Sequence, residues 1–79
     1  MKKLSNRLSI YSHIDGKFYF MWRLSSITTY RIDGYMLCDH PMVCNINVQL
    51  GIMIRIMKDI DNHFDEISIF LQKEVKNAK

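Results

Sequence analysis

Seventy-nine residues, 48% hydrophobic and 24% charged, have the composition of one globular domain, residues 1–79, and not of a disordered tail. A net charge of +3 is modest for a nucleic-acid binder, and no stretch approaches the roughly 20 apolar residues that cross a bilayer, because Arg23, Arg31 and Arg55 interrupt the apolar segments. A core this small hides roughly 60% of the unfolded chain's surface, so self-association is expected to support it.

Lys2 and Lys3 are followed by Ser5, Asn6 and Arg7, where a signal peptide would need an unbroken apolar run. No secretion signal and a cytoplasmic location are therefore expected. Cys38 and Cys44 fit that compartment as reduced thiols, although in an oxidising one they can close a small loop.

Ile14-Asp15-Gly16 recurs eighteen residues later as Ile32-Asp33-Gly34, each between residues suited to strands. Asp-Gly between two such runs predicts a hairpin, because glycine accepts the positive φ of the turn. For the first hairpin a three-residue loop closed by a Gly bulge sets Leu8 opposite Trp22, Ile10 opposite Phe20 and Ser12 opposite Phe18. One face is then nearly all apolar, and the other carries Arg7, Ser9, Tyr11, His13, Lys17, Tyr19, Met21 and Arg23. A two-residue turn at Asp33-Gly34 predicts the second hairpin, with a weaker division of faces, and Pro41 ends its second strand.

From Cys44 to Met57 every even position between Ile46 and Ile56 is aliphatic, which predicts a long strand over 44–57 with one buried face. Val43, Ile46, Leu50, Met53, Met57 and Ile60 also follow a helical spacing. That reading is set aside because it leaves Val48, Ile52 and Ile56 on the opposite side, and because β-branched residues favour strands. Gly51 then marks a bulge or a close backbone approach. From Asp59 onward Ile60, Phe64, Ile67, Leu71 and Val75 form the stripe of one amphipathic helix, capped by Asp59 or Asp61, with acids in its opening turns and lysines near its end. The expected architecture is α+β: an antiparallel meander of about five strands with one C-terminal helix on one face. Leu8, Ile10, Phe18, Phe20, Trp22 and the even aliphatics should meet Phe64, Ile67 and Leu71.

Charge divides along the chain. Residues 1–32 hold six Lys and Arg against Asp15 alone, whereas residues 33–66 hold six acids against Arg55 and Lys58.

Cys38, His40 and Cys44 are the residues most suited to holding zinc. The fourth ligand is missing locally, the spacing fits no finger or ribbon, and no metal or other cofactor is assigned. Cys38 or Cys44 with His40 as base is a pairing that any small protein with Cys and His permits, and phosphate loops, nucleophile elbows and separated carboxylate pairs are missing from the sequence, so no enzymatic activity is expected. The outer face of the sheet is more informative. Tyr11, Tyr19, Met21, Met53 and Met57 bordered by Arg7, Arg23 and Arg55 have the composition of a protein interface. The expected function is a small protein-binding module, an inhibitor, adaptor or regulatory subunit, in which a homodimer is one outcome. The alternative is a sheet that binds nucleic acid through Arg7, Tyr11, Lys17, Tyr19 and Arg23. No family resemblance emerges from the sequence.

Overall fold

The computed structural model describes residues 1–12, 16–37, 40–45 and 47–77, with side chains for all of these except 37, 40, 41, 44, 45 and 74–77. Five strands and two helices follow one another: β1 (Lys2–Lys3), β2 (Leu8–Ser12), β3 (Lys17–Arg23), β4 (Thr29–Leu37), β5 (His40–Asn45), α1 (Leu50–Asn62) and α2 (Phe64–Asn77). The strands form one antiparallel sheet in the order β1-β2-β3-β4-β5, an α+β meander.

Alternation settles the first hairpin. Leu8, Ile10 and Ser12 pair with Trp22, Phe20 and Phe18, as the apolar pattern requires. Gly16 adopts φ 74°, the left-handed conformation in which a side chain is strained, and its carbonyl accepts the Met36 N–H at 2.9 Å. His13, Ile14 and Asp15 lie outside the described residues.

The second Asp-Gly is not a turn. Thr29–Leu37 is a single strand in which Asp33 pairs with Tyr19 and Gly34 with Phe18. Gly34 instead gives room for close packing: a Cβ there would fall 2.7 Å from Cε2 and Cζ of Phe18 and 2.6 Å from the Met42 carbonyl oxygen. The same dipeptide marks a bulge, since Asp33 faces Asn45 while Gly34 faces Val43, leaving Cys44 as the extra residue of β5. The chain reverses earlier, between β3 and β4, where Leu24 N–H and Ser25 N–H both donate to the Thr28 carbonyl and Ser25 Oγ accepts Ile27 N–H. Pro41 does not end pairing. It sits inside the outermost strand opposite Met36, a position where a missing N–H is tolerated.

The predicted strand over 44–57 is corrected to the end of β5 followed by α1. Ile52, Ile56 and Ile60 recur at four-residue spacing, which an even-numbered alternation contains as a subset, and Ile56 and Ile60 are buried. Apolar residues off this stripe need no cover, since Leu50 remains 71% and Ile54 49% exposed. Gly51 faces open space, with nothing within 4 Å of where a Cβ would stand, and marks neither bulge nor close approach. The stripe from Ile60 onward spans two helices rather than one. His63 ends α1 with its N–H donating to the Ile60 carbonyl, and its own carbonyl accepts Ile67 N–H at the start of α2. Asp65 and Glu66 lie in the first turn of α2, where the helix dipole favours acids. Asp59 lies inside α1 and caps nothing.

The even residues of β2, β3 and β4 face the helices. Leu8, Ile10, Phe18, Phe20, Trp22 and Ile32 form one buried cluster with Ile56, Ile60, Ile67 and Leu71, and Leu4, just after β1, joins it. Phe18 and Phe20 meet edge to face, with centroids 5.5 Å apart. Phe64, expected in the core, is 42% exposed.

Candidate interaction site

The eight residues predicted to form one surface occupy three places. Tyr11, Tyr19 and Met21 lie on the outer face of the sheet, opposite in parity to the buried row, and the described helices pack on the other side. Met53, Arg55 and Met57 do not join them, because they belong to α1 and not to a strand. Arg7 and Arg23 lie at one end of the β2–β3 pair.

On the outer face Tyr11 and Tyr19 pair directly across strands and stack, with centroids 4.8 Å apart and planes 5° from parallel. The Arg31 guanidinium stands 4.0 Å from the Tyr19 ring centroid, and its Nε–H donates to Asp33 Oδ1 at 2.9 Å. Stacking contributes about 0.5–1.5 kcal/mol and an exposed cation–π contact about 0.5–1 kcal/mol. The exposed ion pair adds at most about 1 kcal/mol. Together they hold a ladder of four side chains, Tyr11, Tyr19, Arg31 and Asp33, whose rings face one another along the sheet. Arg31 and Asp33 were missed as members of this surface because a turn at Asp33-Gly34 would have taken them away from Tyr19. Their two-residue spacing, which sets both on one strand face, is the signal that finds them.

At the end of the sheet, Trp22 is buried beneath two guanidinium groups, those of Arg7 at 5.6 Å and Arg55 at 5.2 Å from the ring centroid. Arg7 Nη1 donates to the carbonyls of Arg23 (2.9 Å) and Leu24 (2.6 Å), and Arg23 Nη2 donates to the carbonyl of Asn6 at 3.2 Å. Beneath them the indole N–H of Trp22 and the hydroxyl of Ser5 both donate to Oδ2 of Asp59, at 3.2 and 2.9 Å. Ser5 Oγ in turn accepts the N–H groups of Arg7 and Leu8, so one carboxylate ties α1 to the β1–β2 loop and to β3. His63 Nδ1 lies 2.8 Å from the Asp59 carbonyl oxygen, which can only accept, so that nitrogen carries the proton; the Asp59 carboxylate is 3.4 Å away. Serine, aspartate and histidine thus meet here, but with the carboxylate between hydroxyl and imidazole. Nucleophile activation needs the imidazole beside the hydroxyl, so this cluster serves as a clamp and not as a catalytic triad.

Met57 lines a cleft of about 290 Å³ between the sheet and the two helices, floored by Phe18 and Phe20 and bordered by Met42, Phe64 and Asp61. The Cys38–His40–Cys44 ligand set lies outside the described side chains. No described helix is long and apolar enough to cross a membrane. Comparison of the chain with family models, curated proteins and solved structures finds no match.

Proposed function

We propose that the protein is a small non-enzymatic protein-binding module acting through the outer face of its sheet. The observation that carries this reading is the ladder of Tyr11, Tyr19, Arg31 and Asp33 beside Met21, on the face opposite the helices. Tyrosine, methionine and arginine are the residues that supply interface energy, and the ladder holds its rings and guanidinium in place before a partner arrives, so little side-chain freedom is lost on docking. The geometry favours a protein over a nucleic-acid strand. Base stacking requires ring faces turned outward, whereas Tyr11 and Tyr19 turn a face each towards the other and Arg31 lies over Tyr19. With a face of each ring turned to the other, the rings present their edges, which suit the apolar contacts of a protein surface.

The test is affinity capture of the tagged chain and of a Tyr19→Ser/Met21→Ser variant, each with and without nuclease, with sedimentation of the purified proteins in parallel. One stoichiometric protein, or a second copy of the chain, should survive nuclease and salt and be lost from the variant. Equal association by the variant would remove this face from the interface, and recovery only of nucleic acid would favour the strand-binding alternative.

A further inference from the structure

Charge on the outer face of the sheet is one-sided. Lys3 pairs with Ser9, Lys17 with Tyr35 and Arg23 with Thr29, which sets these three exposed cations on the same odd-numbered side as Tyr11, Tyr19 and Met21. Arg31 is a fourth cation there, and Asp33 is the one acid among the described side chains of that face. Arg31 and Asp33 pair with each other, whereas no ion pair among the described residues includes Lys3, Lys17 or Arg23. Arg23 reaches a backbone carbonyl, that of Asn6, which orients its guanidinium without cancelling the charge. The helical side differs, since the described side chains of α1 and α2 hold three cations against four acids. Positive excess is thus segregated to the sheet, and on the outer face it frames the tyrosines. Lys17 and Arg23 stand at the two ends of β3, about 20 Å apart at roughly 3.3 Å per residue, with Tyr19 and Met21 between them.

We infer that the outer face docks an acidic segment of another protein, its carboxylates over Lys3, Lys17 and Arg23 and its apolar side chains over Tyr11, Tyr19 and Met21. This rests on the reading of that face as a protein interface and adds the sign of the partner's charge. A small carboxylate or phosphate does not fit, because the cations are spread along and across the strands and do not surround one point. A second copy of the chain is disfavoured as well. In a two-fold pair the same patch meets itself, so the uncompensated cations of one copy would face those of the other, and like charges across an interface select against that partner. Asp33 argues against a nucleic-acid strand. It lies directly across from Tyr19, where a backbone with a phosphate at every residue would pass it, whereas a protein segment can leave that position neutral. The two kinds of residue divide the task. Rim cations steer and select the partner, and the Tyr and Met side chains in the middle hold it once docked, so association quickens at low salt while the complex survives a salt wash.

The test titrates the full chain into three labelled probes of matched length, a glutamate–tyrosine copolymer, a lysine–tyrosine copolymer and a thymidine oligonucleotide, with fluorescence anisotropy as readout. The glutamate copolymer should bind, more weakly as salt rises, and the lysine copolymer should not. Lys3→Glu/Lys17→Glu changes two exposed side chains that make no described hydrogen bond, so it should weaken that binding about tenfold or more while Tm stays within a few degrees. Lys3→Gln/Lys17→Gln should fall between. No binding of the glutamate copolymer, equal binding of the lysine copolymer, or undiminished affinity in the charge-reversed variant would overturn the acidic partner. An oligonucleotide bound more tightly than the glutamate copolymer would give the face to nucleic acid, and self-association lost from Tyr19→Ser/Met21→Ser would give it to a second copy. Failure of the underlying reading looks different. A protein captured equally by the chain and by Tyr19→Ser/Met21→Ser removes the face itself, whereas one lost from that variant but held equally by Lys3→Glu/Lys17→Glu removes only the acidic assignment.

Discussion

A methyl group added at Gly34 would meet the backbone oxygen of Met42 and the ring of Phe18, neither of which is the free end of a flexible chain. Gly34→Ala is therefore expected to separate β4 from β5 or to displace the Phe18 ring. Overpacking of this kind costs about 1–3 kcal/mol, which in a domain of this size lowers Tm by roughly 5–20 °C. An unchanged melting curve would contradict the pairing of Gly34 with Phe18 and Val43. Two phenylalanines separate the core from its rim in the same way. Phe20 is buried in the central strand, and Phe20→Ala should remove about 3–5 kcal/mol. Phe64 lies at the mouth of the cleft, and Phe64→Ala should cost about 1 kcal/mol or less, with chemical denaturation as the measurement for both.

At the scale of elements, α1 is where sequence and structure part. Ile52, Ile56 and Ile60 satisfy a period of two and a spacing of four at once, so the pattern alone does not separate strand from helix. What decides is that the inner face of the sheet needs a cover, and a helix at this point supplies Ile56 and Ile60 to it. The first hairpin was legible because its two periods do not coincide: odd and even residues of 8–12 and 17–23 differ in kind, and only one register keeps them apart. Asp33-Gly34 misled because glycine serves a turn and a crowded bulge equally well. The same distinctions explain the candidate site. Tyr11, Tyr19 and Met21 were placed by strand parity, which held, whereas Met53, Arg55 and Met57 inherited the wrong element and moved with it. Helical Gly51 makes the correction measurable. It lies in the first turns of α1, without positive φ and with open space around it, so Gly51→Ala should stabilise by about 0.5–1 kcal/mol. A fall in Tm would argue against the helix there.

Across the whole molecule the two faces of the sheet have different work. The inner face carries the stability, through Leu8, Ile10, Phe18, Phe20, Trp22 and Ile32 against the helices. Among the described contacts the outer face contributes stacking, cation–π and surface ion-pair energies, so the Tyr19→Ser/Met21→Ser variant should lose association far more than stability, with a loss of about 1–2 kcal/mol in the isolated chain. That separation makes the double variant informative, since a change in binding is not confused with unfolding. Arg7 and Arg55, over the Trp22 ring, form a third region at the junction of sheet and helix.

Because each strand lies beside the one that precedes it in the chain, the sheet has no crossover to wait for. Neighbouring strands close over short separations, which favours rapid hairpin-by-hairpin assembly. The helices are different, since Asp59 in α1 must find Ser5 across 54 residues and Trp22 across 37. During synthesis, therefore, residues 1–45 complete a sheet whose apolar side stays uncovered until α1 and α2 follow, and that interval is when this chain is most exposed to aggregation.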